Sequence, residues 1–285
     1  MTKETETVYP IPPQPNQVRL DTTTRCNAKC LSCHRFLTER KGEMTQDMIL
    51  DILNDIKRWQ LPLLEIVPVN YGEFFLRDDW AWILDQIAMK LPHTRITIPT
   101  NGSLLDGEKV STLCDIPNVK LVNFSVNAYF EETYKAFMKL SYSTIEKIQK
   151  AIELIRIRRR DIIVWVSMVF DPAYHSDLER DGFIKFWQDK ADKVWPLPAA
   201  SAGRPTQVVE IVRSAPCRSL FSDIVVSYDG RLSSCCFDAN FTIDCGNYTG
   251  DLKSDWRNPK LENLRCAHNE HRRAEIDLCR RCSYA

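Results

Sequence analysis

The chain has 285 residues, 44% of them hydrophobic, which suits one large domain plus a small one. Lys plus Arg and Asp plus Glu both number 38, and the zero balance argues against a nucleic-acid binder that relies on broad phosphate attraction. No apolar run approaches the roughly 20 residues that span a bilayer, and the polar start MTKETETVYP lacks a signal-peptide core; a cytoplasmic protein with no membrane partner is expected.

Residues 1–17 read as an extended arm carrying the Pro-rich YPIPPQP. VRLDTTT (18–24) is a short strand that runs into a cysteine loop. MTQDMILDILNDIKRW (44–59) has helical periodicity, LLEIVPVN (63–70) is a buried-strand pattern, and 79–91 and 95–100 are a helix and a strand. A strand over 119–127, helices over 130–138 and 143–159, a strand over 161–170, a helix over 182–190 and a strand over 192–198 follow. This alternation indicates a parallel α/β sheet, open or closed as a barrel. It ends near residue 205. QVVEIV, DIVVSYDGRLSSCCF and TIDCGNY then read as short strands, with a hairpin turn at Asp229-Gly230, and helices follow from 251. A boundary near 213 divides an 18–212 domain from a 213–285 domain.

The eleven cysteines are unevenly placed: three lie within Cys26–Cys33, one is Cys114, and seven fall between Cys217 and Cys282. In a reducing compartment such clusters point to metal rather than disulfides. RCNAKCLSC gives C-x3-C-x2-C directly after the first strand. Three thiolates can hold three irons of a cubane and leave the fourth iron open, whereas a cluster used only for electron transfer takes four cysteines. The alternative is zinc on Cys26, Cys30, Cys33 and His34, where the adjacent last pair would chelate one ion awkwardly.

The cysteine loop resembles that of the radical S-adenosylmethionine (SAM) superfamily, and the resemblance runs through most of the chain in order. It implies a partial (β/α)6 TIM-like barrel in which Cys26, Cys30 and Cys33 hold a 4Fe–4S cluster. There SAM is cleaved to a 5′-deoxyadenosyl radical that abstracts a substrate hydrogen. Tyr71, Gly72, Glu73 and Phe74 occupy the place of the family's Gly-Gly-Glu-Pro motif, so Glu73 is expected to accept bonds from the SAM ammonium. Thr100 and Asn101 end the third strand, and Ser125 and Asn127 lie at the end of the fourth, where the family makes further SAM contacts. The sequence departs from the pattern at Ser32, where an aromatic residue is usual, and at Tyr71 and Phe74.

Cys217, then Gly230 after twelve residues and Cys235 after four more, with a later Cys279-x2-Cys282, resembles the shortened SPASM, or twitch, domain. The resemblance implies a small C-terminal β-hairpin plus helix iron–sulfur domain in which these four cysteines hold a second 4Fe–4S cluster. A zinc knuckle on the same four is the alternative. Cys235 is favoured as ligand over Cys236, which would point the other way on a strand. Cys114 and Cys266 are expected to be buried packing residues. Cys236 and Cys245 are candidate catalytic hydrogen donors.

Three reactions are compatible with this set. The first is oxidation of a small polar, carbohydrate- or aminoglycoside-like substrate, with the second cluster as electron acceptor. The second is redox-neutral epimerisation using Cys245 or Cys236, and the third is peptide modification. Only 25 residues precede Cys26, so a leader-binding domain is not expected and a small polar substrate is favoured over a peptide, with oxidation placed slightly ahead of epimerisation. A reductant such as flavodoxin or ferredoxin is the expected protein partner. Tyr174, His175, Trp195 and Arg204 are candidate pocket residues on loops.

Overall fold

The computed structural model describes residues 8–199, 215–280 and 282–283. Arg204, the strand expected at QVVEIV and the boundary near 213 lie outside these residues. Six parallel strands come first: β1 (Gln17–Asp21), β2 (Glu65–Val67), β3 (Arg95–Thr100), β4 (Val119–Ser125), β5 (Ile163–Phe170) and β6 (Lys193–Pro198). They lie side by side in chain order, and helices connect successive strands. These are α1 (Gln46–Lys57), α2 (Trp80–Lys90), α3 (Gly107–Asp115), α4 (Glu131–Met138), α5 (Thr144–Arg158) and α6 (Asp177–Trp187). The sheet is open, so the barrel is partial. Among the described residues no helix is long and apolar enough to cross a membrane.

Alternation along the strands sends apolar residues into the core. Val18 and Leu20 on β1, Ile96 and Ile98 on β3, and Val164, Val166 and Met168 on β5 pack into the core, where Ile49, Ile52, Ile83 and Ile152 of the helices join them. The alternate residue Arg19 turns the other way, into a cleft. Caps set the helix starts: Thr45, Asp106 and Ser176 accept from the backbone amides of Met48, Lys109 and Glu179.

The C-terminal portion is built onto the same sheet. β7 (Asp223–Ser227) pairs in parallel with β1, from Gln17↔Asp223 to Asp21↔Ser227, and β8 (Leu232–Ser233) pairs antiparallel with β7. The turn between them uses Gly230 at φ +85°, as the Asp229-Gly230 pair implies. TIDCGNY does not form a strand; it contributes a single bridge, Arg231↔Asn247. α7 (Leu252–Asp255), α8 (Pro259–Asn269) and the short α9 (Asp277–Arg280) follow.

Candidate active site

One cleft, at the C-terminal ends of the parallel strands, gathers Cys26, Cys30 and Cys33 with Tyr71, Gly72 and Glu73. Thr100, Asn101, Ser125 and Asn127 line the same cleft. The cysteine loop is held by the C-terminal end of α4: the amides of Lys29 and Leu31 donate to the carbonyls of Met138 (3.0 Å) and Phe137 (2.9 Å). Helix-end carbonyls that have no partner within the helix are thereby satisfied. Lys139 closes α4 in the left-handed conformation, at φ 56°. Cys30 Sγ lies 3.2 Å from Met138 Sδ. Burial pushes the Cys26 thiol up to about 11 and the Cys30 thiol up to about 12, so thiolate formation there needs a cation to compensate it.

The loop after β2 is pressed against this segment. A Cβ on Gly72 would lie 2.1 Å from the Thr23 carbonyl oxygen, and the Glu73 amide donates to the Arg25 carbonyl at 2.7 Å. Only glycine permits that approach. Glu73 is 2% exposed. Its Oε1 accepts from Thr100 Oγ1 (2.8 Å) and its Oε2 from the Asn101 amide (2.8 Å), while burial raises its pKa against these bonds. Glu73 also caps the short 3-10 turn Phe74–Leu76 through the Phe75 amide at 3.4 Å. Capping and facing the cleft therefore coexist: Oε1 already accepts two bonds, and Oε2, with one, keeps a lone pair for a further donor.

Asn101 Nδ2 reaches Asn27 Oδ1 (2.9 Å) and lies 3.9 Å from Cys26 Sγ, so the turn after β3 steadies the first cysteine. Asn127, at φ 58°, spends its side chain on Val169 N and Met138 Sδ. Arg19, Asn70 and Phe237 also line the cleft and were not singled out from the sequence, because nothing in their spacing marks them.

A second cavity is walled by five thiols, Cys217, Cys235, Cys236, Cys279 and Cys282, together with the buried Arg273. Four thiols suffice for a cubane with no open iron, so the donor set fits a cluster. Among the described residues no three His, Cys, Asp or Glu side chains are gathered as a site for one metal ion. His268 is fully buried, and its Nδ1 accepts from the Cys217 amide at 3.1 Å. Burial, and then the nearby Arg273 charge, push its imidazole down to about 4.

Cys236 departs from expectation. Strand β8 stops at Ser233, whose Oγ accepts from the Cys235 amide at 3.0 Å. The chain then turns instead of alternating, and Cys235 and Cys236 border the same cavity. Cys236 and Phe237 also line the cleft, so they form the wall between the two sites. Tyr71 Oη donates to the Cys236 carbonyl across that wall. Cys245 is not brought there: it is 2% exposed within the apolar core and lines neither space. Cys114 is buried as expected, but Cys266 is exposed on α8. None of the three described loop candidates, Tyr174, His175 and Trp195, lines the cleft. His175 is buried and bonded to Asp171 and to the Asn127 carbonyl, Tyr174 is half exposed, and Trp195 packs edge-on against Trp165.

Residues 20–180, more than half of the chain, match the Radical SAM superfamily, and residues 217–283 match the SPASM iron–sulfur cluster-binding domain. The chain is 29% identical over 139 residues to a probable GTP 3',8-cyclase of Methanothermobacter thermautotrophicus, a match covering 47% of this chain and 42% of the relative. The chain thus spans less than half the length of this curated relative. Among solved structures it resembles BtrN in complex with AdoMet and 2-DOIA, with 17% identity, a TM-score of 0.67, and coverage of 98% of this chain and 95% of that one. It also resembles anSMEcpe with bound AdoMet, at 14% identity and a TM-score of 0.69, covering 93% of this chain and 87% of the other. SuiB of Streptococcus suis, bound to its precursor peptide SuiA, aligns at 12% identity and a TM-score of 0.66, covering 90% and 67%. At these identities the likeness is one of fold.

Proposed function

Because the chain belongs to the radical SAM superfamily, we propose that it removes a hydrogen atom from a small polar substrate in the cysteine-lined cleft and oxidises it. The cofactors that accompany the two matched domains are SAM and two 4Fe–4S clusters. When bound, the first cluster with SAM supplies the abstracting radical, and the second cluster supplies an electron acceptor.

The residues have distinct tasks in this reading. Cys26, Cys30 and Cys33 hold the first cluster, and Glu73 holds the SAM ammonium, with Thr100 and Asn101 fixing the carboxylate. Ser125 and Asn127 border the remaining SAM space. Cys217, Cys235, Cys279 and Cys282 hold the second cluster. The observation that carries the oxidative reading is the wall formed by Cys236 and Phe237. With the cleft read as the substrate space, this shared wall supports passage of an electron from substrate to the second thiol cavity. The substrate loses two hydrogens in all: one as an atom, the other as an electron and a proton.

A second reading is favoured by the same wall. Cys236 borders the cleft and is in excess of the four thiols a cubane needs, so its thiol could return a hydrogen atom in a redox-neutral epimerisation. Cys245 does not share this position.

Anaerobically reconstituted, reduced protein tests the proposal. It should convert SAM to 5′-deoxyadenosine and shift the mass of one member of a panel of aminocyclitols, nucleotides and peptides. Absence of 5′-deoxyadenosine under reduction would sink it. A flavodoxin or ferredoxin is the reductant to supply.

A further inference from the structure

Arg273 puts a buried cation on the wall of the second thiol cavity. The residue is 2% exposed, and among the described residues lining that cavity it alone carries a formal charge other than through thiolates. Its Nη2 donates to the Cys282 carbonyl at 3.1 Å and its Nη1 to the Ala215 carbonyl at 3.3 Å. Ala215 stands two residues before Cys217, so one guanidinium ties together the two ends of the ligand set. Asp238, three positions after Cys235, spends its carboxylate on Thr242 N, Thr242 Oγ1 and Ile243 N of its own loop.

A guanidinium withdrawn from water is stabilised by nearby negative charge. A cubane on four thiolates is net negative and gains a further negative charge on reduction, and the local charge is one determinant of its potential. We infer that Arg273 raises the reduction potential of the cluster held by Cys217, Cys235, Cys279 and Cys282, and so biases it to accept an electron rather than donate one. The inference rests on the reading that this cavity holds the second cluster. The cation interacts more favourably with the reduced state than with the oxidised one, because the added electron increases the opposing charge.

The test isolates one cluster. In protein with Cys26, Cys30 and Cys33 replaced by Ala, the midpoint potential of the remaining cluster is measured by spectroscopically monitored redox titration, before and after Arg273→Met and Arg273→Lys. The Met variant should shift to a more negative potential, and the Lys variant should stay near the parent. An intact cluster with unshifted potential in Arg273→Met overturns the inference. If Met at 273 prevents cluster assembly, Lys decides: an assembled cluster near the parent potential supports the role of charge, and loss of the cluster from both variants overturns it. Zinc in place of iron in the parent is a separate result, which removes the cluster reading itself.

Discussion

Gly72 leaves no space for a methyl group, because the Thr23 carbonyl already occupies the position a Cβ would take. Gly72→Ala must therefore push the Glu73 loop away from the cysteine segment. The expected result is a loss of SAM affinity at least as large as that of Glu73→Gln, measured by equilibrium dialysis. Glu73→Gln keeps the shape and an acceptor but removes the charge. A hydrogen bond to a charged group contributes roughly 1.5–3 kcal/mol, so SAM binding should weaken roughly ten- to hundredfold while the iron content holds. Unchanged affinity would reduce Glu73 to a cap of its 3-10 turn. Asp21, two strand positions beyond Arg19, is 1% exposed, and burial pushes its carboxyl up to about 6 against the pull of the Tyr71 amide, Arg40 and the Asn70 amide. The folded protein thus keeps this proton to higher pH than the unfolded chain. The group costs nothing well below pH 4, becomes destabilising as pH rises towards about 6, and stays so above it. Asp21→Asn should raise stability by roughly 2–3 kcal/mol at about pH 7.5 and by less at about pH 5, read from thermal unfolding.

Among the elements, the parallel pairing of β7 with β1 makes the C-terminal segment part of the main sheet. A chain cut before residue 215 would expose the edge of β1, with its unpaired amides and carbonyls. Such a truncation should aggregate, and the intact chain should unfold in one calorimetric transition; two separated transitions would show independent units. The six parallel strands were legible because each has an apolar run bounded by turn residues. α3 was not, since GEKVSTLCD buries only Val110, Leu113 and Cys114 and its start depends on the Asp106 cap. α6 begins at Asp177, earlier than its apolar residues indicate, because Ser176 caps it. The first cysteine loop could be read from its spacing, whereas the second cysteine set and the candidate ligands at 71–73, 100–101, 125 and 127 that border the cleft came only through the family resemblance. The side to which Cys236 faces could not be read. It depends on where β8 stops, and a Ser-based turn ended the strand before alternation could apply. Arg273 and His268 act through tertiary contacts that no local pattern encodes.

At the scale of the whole molecule, the two thiol sites predict about eight irons per reconstituted chain, falling to about four when Cys26, Cys30 and Cys33 are replaced by Ala. Replacing Cys279 and Cys282 should remove the other four and lower the stability of the C-terminal segment, since cluster binding contributes folding energy. The two reaction readings part in D2O. Epimerisation by the Cys236 thiol would place one solvent deuterium on the inverted carbon and be lost in Cys236→Ala. Oxidation gives a product two mass units lighter, with no carbon-bound deuterium from the chemical step. The N-terminal arm also crosses the molecule: Tyr9 N donates to Asn269 Oδ1 at 3.1 Å, and Trp256 Nε1 donates to the Pro12 carbonyl at 3.0 Å.

The pairing of β1 with β7 has a temporal side as well. β1 is the first strand of the sheet to leave the ribosome, and the residues that complete it, such as Ile224 opposite Val18, follow only about 200 positions later. At roughly 5–20 residues per second, one edge of β1 waits roughly 10–40 s for its neighbour. In the later part of that interval, once α4 has emerged, the cysteine loop that begins just beyond β1 has its supports from β2, β3 and α4 but not the wall carrying Cys236. The first thiol site can therefore take shape on the nascent chain well before the second has been synthesised, which gives iron–sulfur loading a built-in order.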